Sequence, residues 1–147
     1  MSKKRSRKFG RVFVETSVFI RFLTNDDPKK AADCRALFEM IESGTIKPFI
    51  SNIVILEIIF VLTRLYHFPR GHVVQAAQKI LEMRNLVLIE KSDTRRALEC
   101  WNTGKAQYGD CLIASQVPHG VPIVTYDADF QRFPKLKVIN PAEAVSA

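Results

Sequence analysis

The chain has 147 residues, of which 47% are hydrophobic and 25% are charged, and its formal net charge is +7. This length and composition are ordinary for a soluble globular protein that buries its core without disulfide or metal staples, and they argue against a second domain. We therefore expect a single domain over residues 12–147.

The positive charge lies almost entirely in the first eleven residues. This segment contains no acidic residue and six basic ones: Lys3, Lys4, Arg5, Arg7, Lys8 and Arg11. Taking these six from the 22 basic residues leaves 16, against 15 acidic residues, so the rest of the chain is nearly neutral. A basic tail over residues 1–11 can contact RNA phosphates or an acidic partner, and a solvated arm is the alternative.

Cysteine usage and hydropathy favour a cytoplasmic protein. The three cysteines, Cys34, Cys100 and Cys111, form no Cys-x-x-Cys motif, which argues against a disulfide framework or a structural zinc site. No apolar segment follows the basic start closely enough to be a secretory signal. The longest apolar run, around Ile53 to Leu62, is too short to span a bilayer, so no membrane association is expected.

The predicted elements begin with a strand and a short helix. Val12 to Val14 has the β-branched and aromatic composition of a buried strand, and Thr16-Ser17 is typical of a strand-to-helix turn before a short helix over Ser17 to Thr24. Glu15 therefore lies at the carboxyl end of a central strand, where open α/β sheets bind their ligands.

A capped helix and a second strand follow. Asp27 as the N-cap and Pro28 at the first helical position begin a helix that ends at Gly44. Its apolar stripe indicates that one face packs on the core. Lys47 to Ile50 is then a short strand.

The next helix carries an acid in an apolar setting. Ser51 or Asn52 caps a helix over Ile53 to Tyr66, which is apolar on almost every side and is predicted to be buried. Glu57 lies within it. Burying an unpaired carboxylate costs several kcal/mol, so Glu57 must be paired, protonated or bound to a metal. A salt bridge to a buried arginine is the purely structural alternative.

The remaining elements alternate between helix and strand. In order they are a helix over Arg70 to Arg84, a strand over Leu86 to Ile89, a helix from Ser92 or Asp93 to near Gly104, a helix over Asp110 to Gln116, a strand over Val121 to Thr125 and an edge strand over Lys137 to Ile139. Strands that alternate with helices predict an α/β fold whose parallel sheet is covered on both faces.

Acidic residues recur at the ends of these elements. Asp110 can be a simple N-cap, and Asp127 and Asp129 can be simple turn residues. Glu15 and Asp127 each follow an apolar strand, so both belong at the carboxyl edge of the sheet, where helices can also bring Glu57 and Asp110. Ionised carboxylates share a small space only if cations neutralise them. Oxygen ligands without His or Cys point to Mg²⁺ or Mn²⁺ and to metal-dependent hydrolysis of nucleic acid.

The order of these motifs resembles a known family. Strand-acid-Thr-Ser, an acid in an apolar helix, Asp-x-Leu-Ile-Ala and Thr-x-Asp-x-Asp-Phe together resemble PIN-domain ribonucleases, in particular the VapC-like toxins of type II toxin–antitoxin pairs, over about residues 12–141. The resemblance implies a three-layer α/β/α sandwich with a central parallel sheet. It also implies Mg²⁺- or Mn²⁺-dependent endoribonuclease activity, an RNA substrate, a homodimer and a cognate antitoxin as protein partner.

The resemblance also implies roles for individual residues. Glu15, Glu57 and Asp110 match the family's first three acids, and either Asp127 or Asp129 matches the fourth. These five acids are the candidate catalytic and metal-binding residues. Three small polar residues match positions that support the acids or a metal-bound water: Thr16, Ser17 and Thr125.

Glu15 departs from the family, whose first acid is almost always Asp. The extra methylene moves the carboxylate relative to the backbone, so Glu15 is a working variant, a natural weakening or a substitution that renders a toxin harmless. We expect Glu15→Asp to raise metal-dependent ribonuclease activity. The alternative is a catalytically inactive PIN-like module that binds RNA or a protein. A phosphatase or nucleotide-binding α/β domain is less well supported, because the chain lacks a Gly-rich phosphate loop.

The other chemically notable residues are given structural roles. Trp101 and Phe60 lie on apolar helical stripes and are expected in the core, while Asp26 and Asp27 are expected to be helix caps. Three histidines show no metal-ligand spacing and are expected on the surface or in turns: His67, His72 and His119. The sequence does not place three arginines that could face RNA: Arg21, Arg64 and Arg132.

Overall fold

The computed structural model describes residues 9–146, so most of the predicted basic tail lies outside the described residues. In chain order the elements of this part are β1 (Arg11–Val14), α1 (Thr16–Thr24), α2 (Pro28–Glu42), β2 (Lys47–Ser51), α3 (Asn52–Arg64), α4 (Arg70–Leu81), β3 (Val87–Ile89), α5 (Thr94–Thr103), α6 (Tyr108–Gln116), β4 (Ile123–Val124), a 3-10 turn (Ala128–Arg132), β5 (Val138–Ile139) and α7 (Pro141–Val145). Every predicted strand is present, and α7 is an additional helix.

The five strands form one parallel sheet in the order β3-β2-β1-β4-β5, with β1 in the centre. The crossovers from β1 to β2 and from β2 to β3 run in one direction, and the crossover from β3 to β4 runs back across the sheet. Since such crossovers are right-handed, α1 to α4 cover one face and α5 and α6 cover the other. The predicted three-layer α/β/α sandwich with a central parallel sheet is confirmed.

The core is centred on β1. Val12, Phe13 and Val14 are fully buried, because β1 has neighbouring strands on both sides and helices on both faces. Leu37 of α2 and Ile113 of α6 are also fully buried and cover the two faces of the sheet. Each apolar residue of β1 from Val12 to Val14 therefore packs in the core, whereas Arg11 at its start is exposed.

Local capping sets where the helices on the first face begin. The Asp27 carboxylate accepts a hydrogen bond from the Lys30 amide at 3.1 Å, and Pro28 occupies the first turn of α2. The Ser51 hydroxyl accepts from the Val54 amide at 3.2 Å at the start of α3. These predicted caps are confirmed. The prediction for Asp26 is wrong, because its carboxylate accepts a hydrogen bond from the Tyr66 hydroxyl instead of capping a helix.

The prediction of a buried helix over residues 53–66 is wrong. The residues that bury α3 are Val54, Ile58 and Leu62, spaced four apart along one side. Its exposed apolar side chains are Leu56, Ile59 and Phe60. Phe60 is 58% exposed, and Trp101 on α5 is 53% exposed, so neither lies in the core as expected. The prediction rested on composition, because α3 is apolar on almost every side. The neighbouring elements, however, cover only one side of the helix.

No helix within residues 9–146 combines the length and the hydropathy that a bilayer crossing requires. The three histidines are exposed, as predicted: His67, His72 and His119.

Candidate functional site

The site lies where the strand order of the sheet reverses. The chain leaves β1 toward β2 on one side, while β4 and β5 lie on the other, so β1 and β4 flank the topological switch point. In open α/β sheets the crevice at this point, outside the carboxyl ends of the strands, is the usual ligand site. Val14 pairs with Val124, and the residues that follow the two strands, Glu15 and Thr125, are therefore neighbours.

Glu15 is anchored by three hydrogen bonds on one oxygen. Its side chain is 4% exposed, and its Oε1 accepts from the Ser17 amide at 3.0 Å, the Ser17 hydroxyl at 2.6 Å and the Thr125 hydroxyl at 2.6 Å. Glu15 is thereby also the N-cap of α1. Burial raises the pKa of Glu15, and the hydrogen bonds from Ser17 and Thr125 act in the opposite direction.

Glu57 is held at the same site by the first residue of α1. The Thr16 hydroxyl donates to Glu57 Oε1 at 2.7 Å. Burial is the main cause that raises the pKa of Glu57; the Thr16 hydrogen bond lowers it, and the charges of Glu15 and Asp127 raise it further. Within residues 9–146 Glu57 makes no ion pair, so the alternative of a salt bridge to a buried arginine is not what the structure contains.

Asp110 lies inside the first turn of α6. The helix begins at Tyr108, so the simple N-cap interpretation of Asp110 is wrong. Its carboxylate accepts no hydrogen bond from the described residues. Burial is the largest cause that raises the pKa of Asp110 to about 7, followed by repulsion from four other carboxylates: Asp127, Glu57, Glu15 and Asp129. A half-buried acid with neighbours of its own charge is costly to ionise.

Asp127 and Asp129 follow β4 and approach Asp110. The Asp127 amide donates to the Thr125 hydroxyl at 2.9 Å, and Asp127 Oδ1 accepts from the Asp129 amide at 2.9 Å. These bonds shape the turn and fix the position of Asp127 relative to β4. Asp129 also lies 3.7 Å from the Arg132 guanidinium in a half-exposed ion pair. This pair contributes little to stability because solvent screens it.

All five predicted acids line one cleft of about 640 Å³, together with Thr16 and Ser17. Carboxylate oxygens of Asp110, Asp127 and Asp129 come within 4.8 Å of one another. Glu15 and Glu57 line the cleft outside this group of three. Both candidates for the fourth acid, Asp127 and Asp129, belong to the group, so this arrangement does not distinguish between them.

The donor set of this cleft fits a hard divalent cation. It offers carboxylate oxygens without His or Cys, which is the chemistry that Mg²⁺ and Mn²⁺ prefer. Asp110 has no hydrogen-bond donor among the described residues, and its pKa is raised first by burial and then by the charges of the neighbouring carboxylates. Asp110, Asp127 and Asp129 are the residues that would hold such an ion.

Several cleft residues were not identified from the sequence. Arg21 of α1 lines the cleft, as do Leu56, Phe60 and Tyr66. For Phe60 a signal existed, because it lies three residues after Glu57 and therefore on the same side of a helix. Of the other two unplaced arginines, Arg132 pairs with Asp129, and Arg64 lines a different pocket.

These observations define a class of protein: an α/β domain with carboxylates gathered at the switch point of a five-stranded parallel sheet. Within that class, the profile of the PIN domain matches residues 12–136. The chain belongs to the PIN domain family, as the sequence motifs predicted. A comparison with curated proteins finds no match.

Solved structures share this fold at low sequence identity. VapBC2 from Rickettsia felis, bound to a DNA fragment from its promoter, is 17% identical with a TM-score of 0.62, over 88% of this chain and 98% of that one. VapC20 from Mycobacterium tuberculosis, a toxin that cleaves the sarcin-ricin loop, is 18% identical with a TM-score of 0.60, over 82% and 92%. PAE2754 from Pyrobaculum aerophilum is 14% identical with a TM-score of 0.56, over 91% and 86%. The fold is therefore that of VapC-like PIN domains.

Proposed function

We propose that the protein is a metal-dependent endoribonuclease that cleaves RNA phosphodiester bonds and acts as the toxin of a toxin–antitoxin pair. One observation carries the proposal. Carboxylate oxygens of Asp110, Asp127 and Asp129 lie within 4.8 Å of one another, in a cleft at the switch point of a PIN fold. The fold shared with VapC20, a toxin that cleaves the sarcin-ricin loop, supports the choice of RNA as substrate.

We assign different roles to the three aspartates of the cleft and to Glu57. Asp110, Asp127 and Asp129 would hold Mg²⁺ or Mn²⁺, which when bound supplies charge neutralisation, a more acidic water and stabilisation of the leaving oxygen. Glu57 is fixed through Oε1 by Thr16. Its other oxygen, Oε2, accepts no hydrogen bond from the described residues. We assign Oε2 as the acceptor of the proton that the attacking water releases.

Glu15 has a positioning role in this proposal. Its Oε1 accepts from Ser17 and Thr125, and these two hydroxyls also accept hydrogen bonds from the Tyr126 and Asp127 amides at 2.9 Å each. The network links the start of α1 to the turn that carries Asp127. Ser17 and Thr125 therefore support the acids through Glu15 and through the backbone, whereas Thr16 supports Glu57 directly.

A ribonuclease assay with purified protein tests the proposal. We expect cleavage of a labelled oligoribonucleotide with Mn²⁺ or Mg²⁺ and none with EDTA. Asp127→Asn and Glu57→Gln should lower the rate by more than the ~10–100-fold that loss of an outer supporting partner costs. Asp33→Asn is the control, because Asp33 lies on α2 in a surface pair with Lys29. Cleavage that persists in EDTA, or in Asp127→Asn, would contradict the proposal.

A second candidate function is a PIN-like module that binds RNA or a protein without cleaving it. The position of Glu15 outside the group of three carboxylates supports this alternative, since the first acid of the family that the motifs resemble is almost always Asp. The two proposed functions predict different activities for the Glu15→Asp variant. If neither the wild type nor the Glu15→Asp variant cleaves RNA with Mn²⁺ while both proteins bind it, the binding module is the better description.

We also propose a cognate antitoxin and a homodimer as assembly partners. The antitoxin is supported by the shared fold with VapBC2, which is named as a pair; a co-expressed antitoxin should co-purify and suppress cleavage. The homodimer is supported by exposed apolar side chains that α3 and α4 present together, Ile59, Val74 and Leu81. Light scattering should show a dimer that Leu81→Glu converts to a monomer, and a monomeric wild type would exclude it.

A further inference from the structure

One wall of the cleft is apolar and takes no part in the acid chemistry. Leu56 and Phe60 of α3 line the cleft with 62% and 58% of their surface exposed. Ile20 and Val61 line it as well. A phenylalanine ring that stays largely in water forgoes hydrophobic stabilisation, and in a cleft it offers an apolar face that a bound ligand can cover.

The position of Phe60 relative to the acids is set by α3. Phe60 follows Glu57 by three residues, so the two side chains are neighbours on one helix face. Glu57 is tied to α1 through the 2.7 Å bond from the Thr16 hydroxyl, which fixes this part of α3 against the site. The exposed ring therefore lies about one helical turn from a carboxylate of the candidate active site.

Arg21 brings a positive charge into the same cleft. Among the cleft-lining residues in the described part of the chain, Arg21 is the one basic side chain, against five carboxylates. Arg21 makes no ion pair with any residue of 9–146. A guanidinium left unpaired in an acidic cleft is available for an anion, and its planar fork suits a phosphate.

We propose that Phe60 and Arg21 hold one unpaired nucleotide of the RNA beside the cleavage site, with the Phe60 ring stacked on the base and the Arg21 guanidinium on a phosphate. The inference rests on the proposed ribonuclease function and deepens it. Stacking requires a base whose face is free, which an RNA duplex does not offer. The cleft thus selects single-stranded or looped RNA through Phe60. Both residues are positioning residues and act on substrate binding.

Steady-state kinetics with Mn²⁺ and an unstructured oligoribonucleotide test the stacking. We expect Phe60→Leu to raise KM about tenfold, in the range of a lost base–aromatic stack, with kcat within about twofold of wild type. Phe60→Trp should restore KM, because tryptophan also stacks. Phe22→Leu is the matched control: Phe22 is 38% exposed and lines a different groove. Unchanged KM in Phe60→Leu would overturn the proposal, and a change of oligomeric state alone would assign Phe60 to a protein interface.

The phosphate contact has its own test. Arg21→Gln should raise KM and reduce the slope of log KM against log salt concentration by about one, as expected for one lost phosphate contact. Arg35→Gln, which removes an exposed arginine of α2 outside the cleft, should leave the slope unchanged. Equal slopes in wild type and Arg21→Gln would remove Arg21 from the RNA site.

A binding assay separates failure of this inference from failure of the ribonuclease proposal. The chain has one tryptophan, so Phe60→Trp in a Trp101→Phe background places a single fluorophore in the cleft. We expect a single-stranded oligoribonucleotide to quench it and the same sequence in a duplex to quench it far less. Quenching without cleavage by wild type would refute the nuclease while supporting Phe60. Cleavage without selective quenching would support the nuclease and refute the role of Phe60.

Discussion

Replacing Asp110 by asparagine removes one negative charge from the centre of the acid cluster and keeps the size of the side chain. The pKa of Asp110 is raised from 3.8 to about 7, and at 1.36 kcal/mol per pKa unit this corresponds to ~4 kcal/mol of unfavourable ionisation. Because Asp110 is only half-buried, solvent screening reduces that penalty. We expect Asp110→Asn to raise the free energy of unfolding of the metal-free protein by ~1–2 kcal/mol above about pH 7.

The gain in stability should depend on pH. Below about pH 4 Asp110 is protonated in both the folded and the unfolded chain, so the variant and the wild type differ little. As pH rises toward 7 the unfolded chain releases this proton before the folded chain does, and the wild type loses stability relative to the variant. Above the pKa of the folded state the difference stays constant.

Urea unfolding in EDTA at several pH values between about 4 and 8 measures this difference. Asp33→Asn serves as the control, since it removes a helix-surface charge paired with Lys29 at 3.3 Å and should change stability by no more than ~0.5 kcal/mol at any pH. An Asp110→Asn protein that is less stable than wild type at neutral pH, or a difference that does not vary with pH, would refute the electrostatic reasoning.

Three further predictions concern the network and the fold. Glu15→Asp should raise the Mn²⁺-dependent cleavage rate, by up to about a hundredfold if the extra methylene displaces the carboxylate by ~1 Å; an equal or lower rate counts against it. Thr125→Val removes the 2.6 Å donor to Glu15 and the 2.9 Å acceptor of the Asp127 amide, so it should cost ~1–3 kcal/mol in urea unfolding and lower the cleavage rate, whereas Thr125→Ser should retain both. Asn140→Ala breaks the capping box with Glu143 at the start of α7 and should cost ~1 kcal/mol in thermal unfolding with cleavage unchanged; loss of cleavage would show that α7 influences the site.

The order of elements was predictable because it rests on local signals. The caps at Asp27 and Ser51 depend on a side chain and an amide three residues away, and Val12 to Val14 of β1 form a continuous apolar run. Helix α7 was missed although Asn140, Pro141 and Glu143 form a start signal. Five residues are too few to show a helical period, so the capping pattern was the one signal available.

The gathering of the acids was predictable in outline, since parallel strands end at one edge of a sheet. The hydrogen bonds that distinguish one acid from another were not predictable. Nothing in the sequence indicates that Glu15 has three donors on one oxygen while Asp110 has none among the described residues. These differences depend on the register of β1 against β4 and on α6 beginning at Tyr108.

The exposed side of α3 could not be predicted from composition. An apolar helix is buried only where other elements cover it, and the extent of that cover depends on the whole fold. Phe60 and Leu56 were therefore expected inside, and the structure places both at the cleft. The helical spacing of Phe60 from Glu57 was the signal that could have placed it there.

Calorimetric titration of Mn²⁺ into the metal-free protein is the most direct test of a cation held by Asp110, Asp127 and Asp129. We predict saturable binding by wild type and by Asp33→Asn, with binding abolished or greatly weakened in Asp110→Asn and Asp127→Asn. Wild-type protein that binds no Mn²⁺, or Asp110→Asn and Asp127→Asn proteins that bind it as tightly as wild type, would contradict the account.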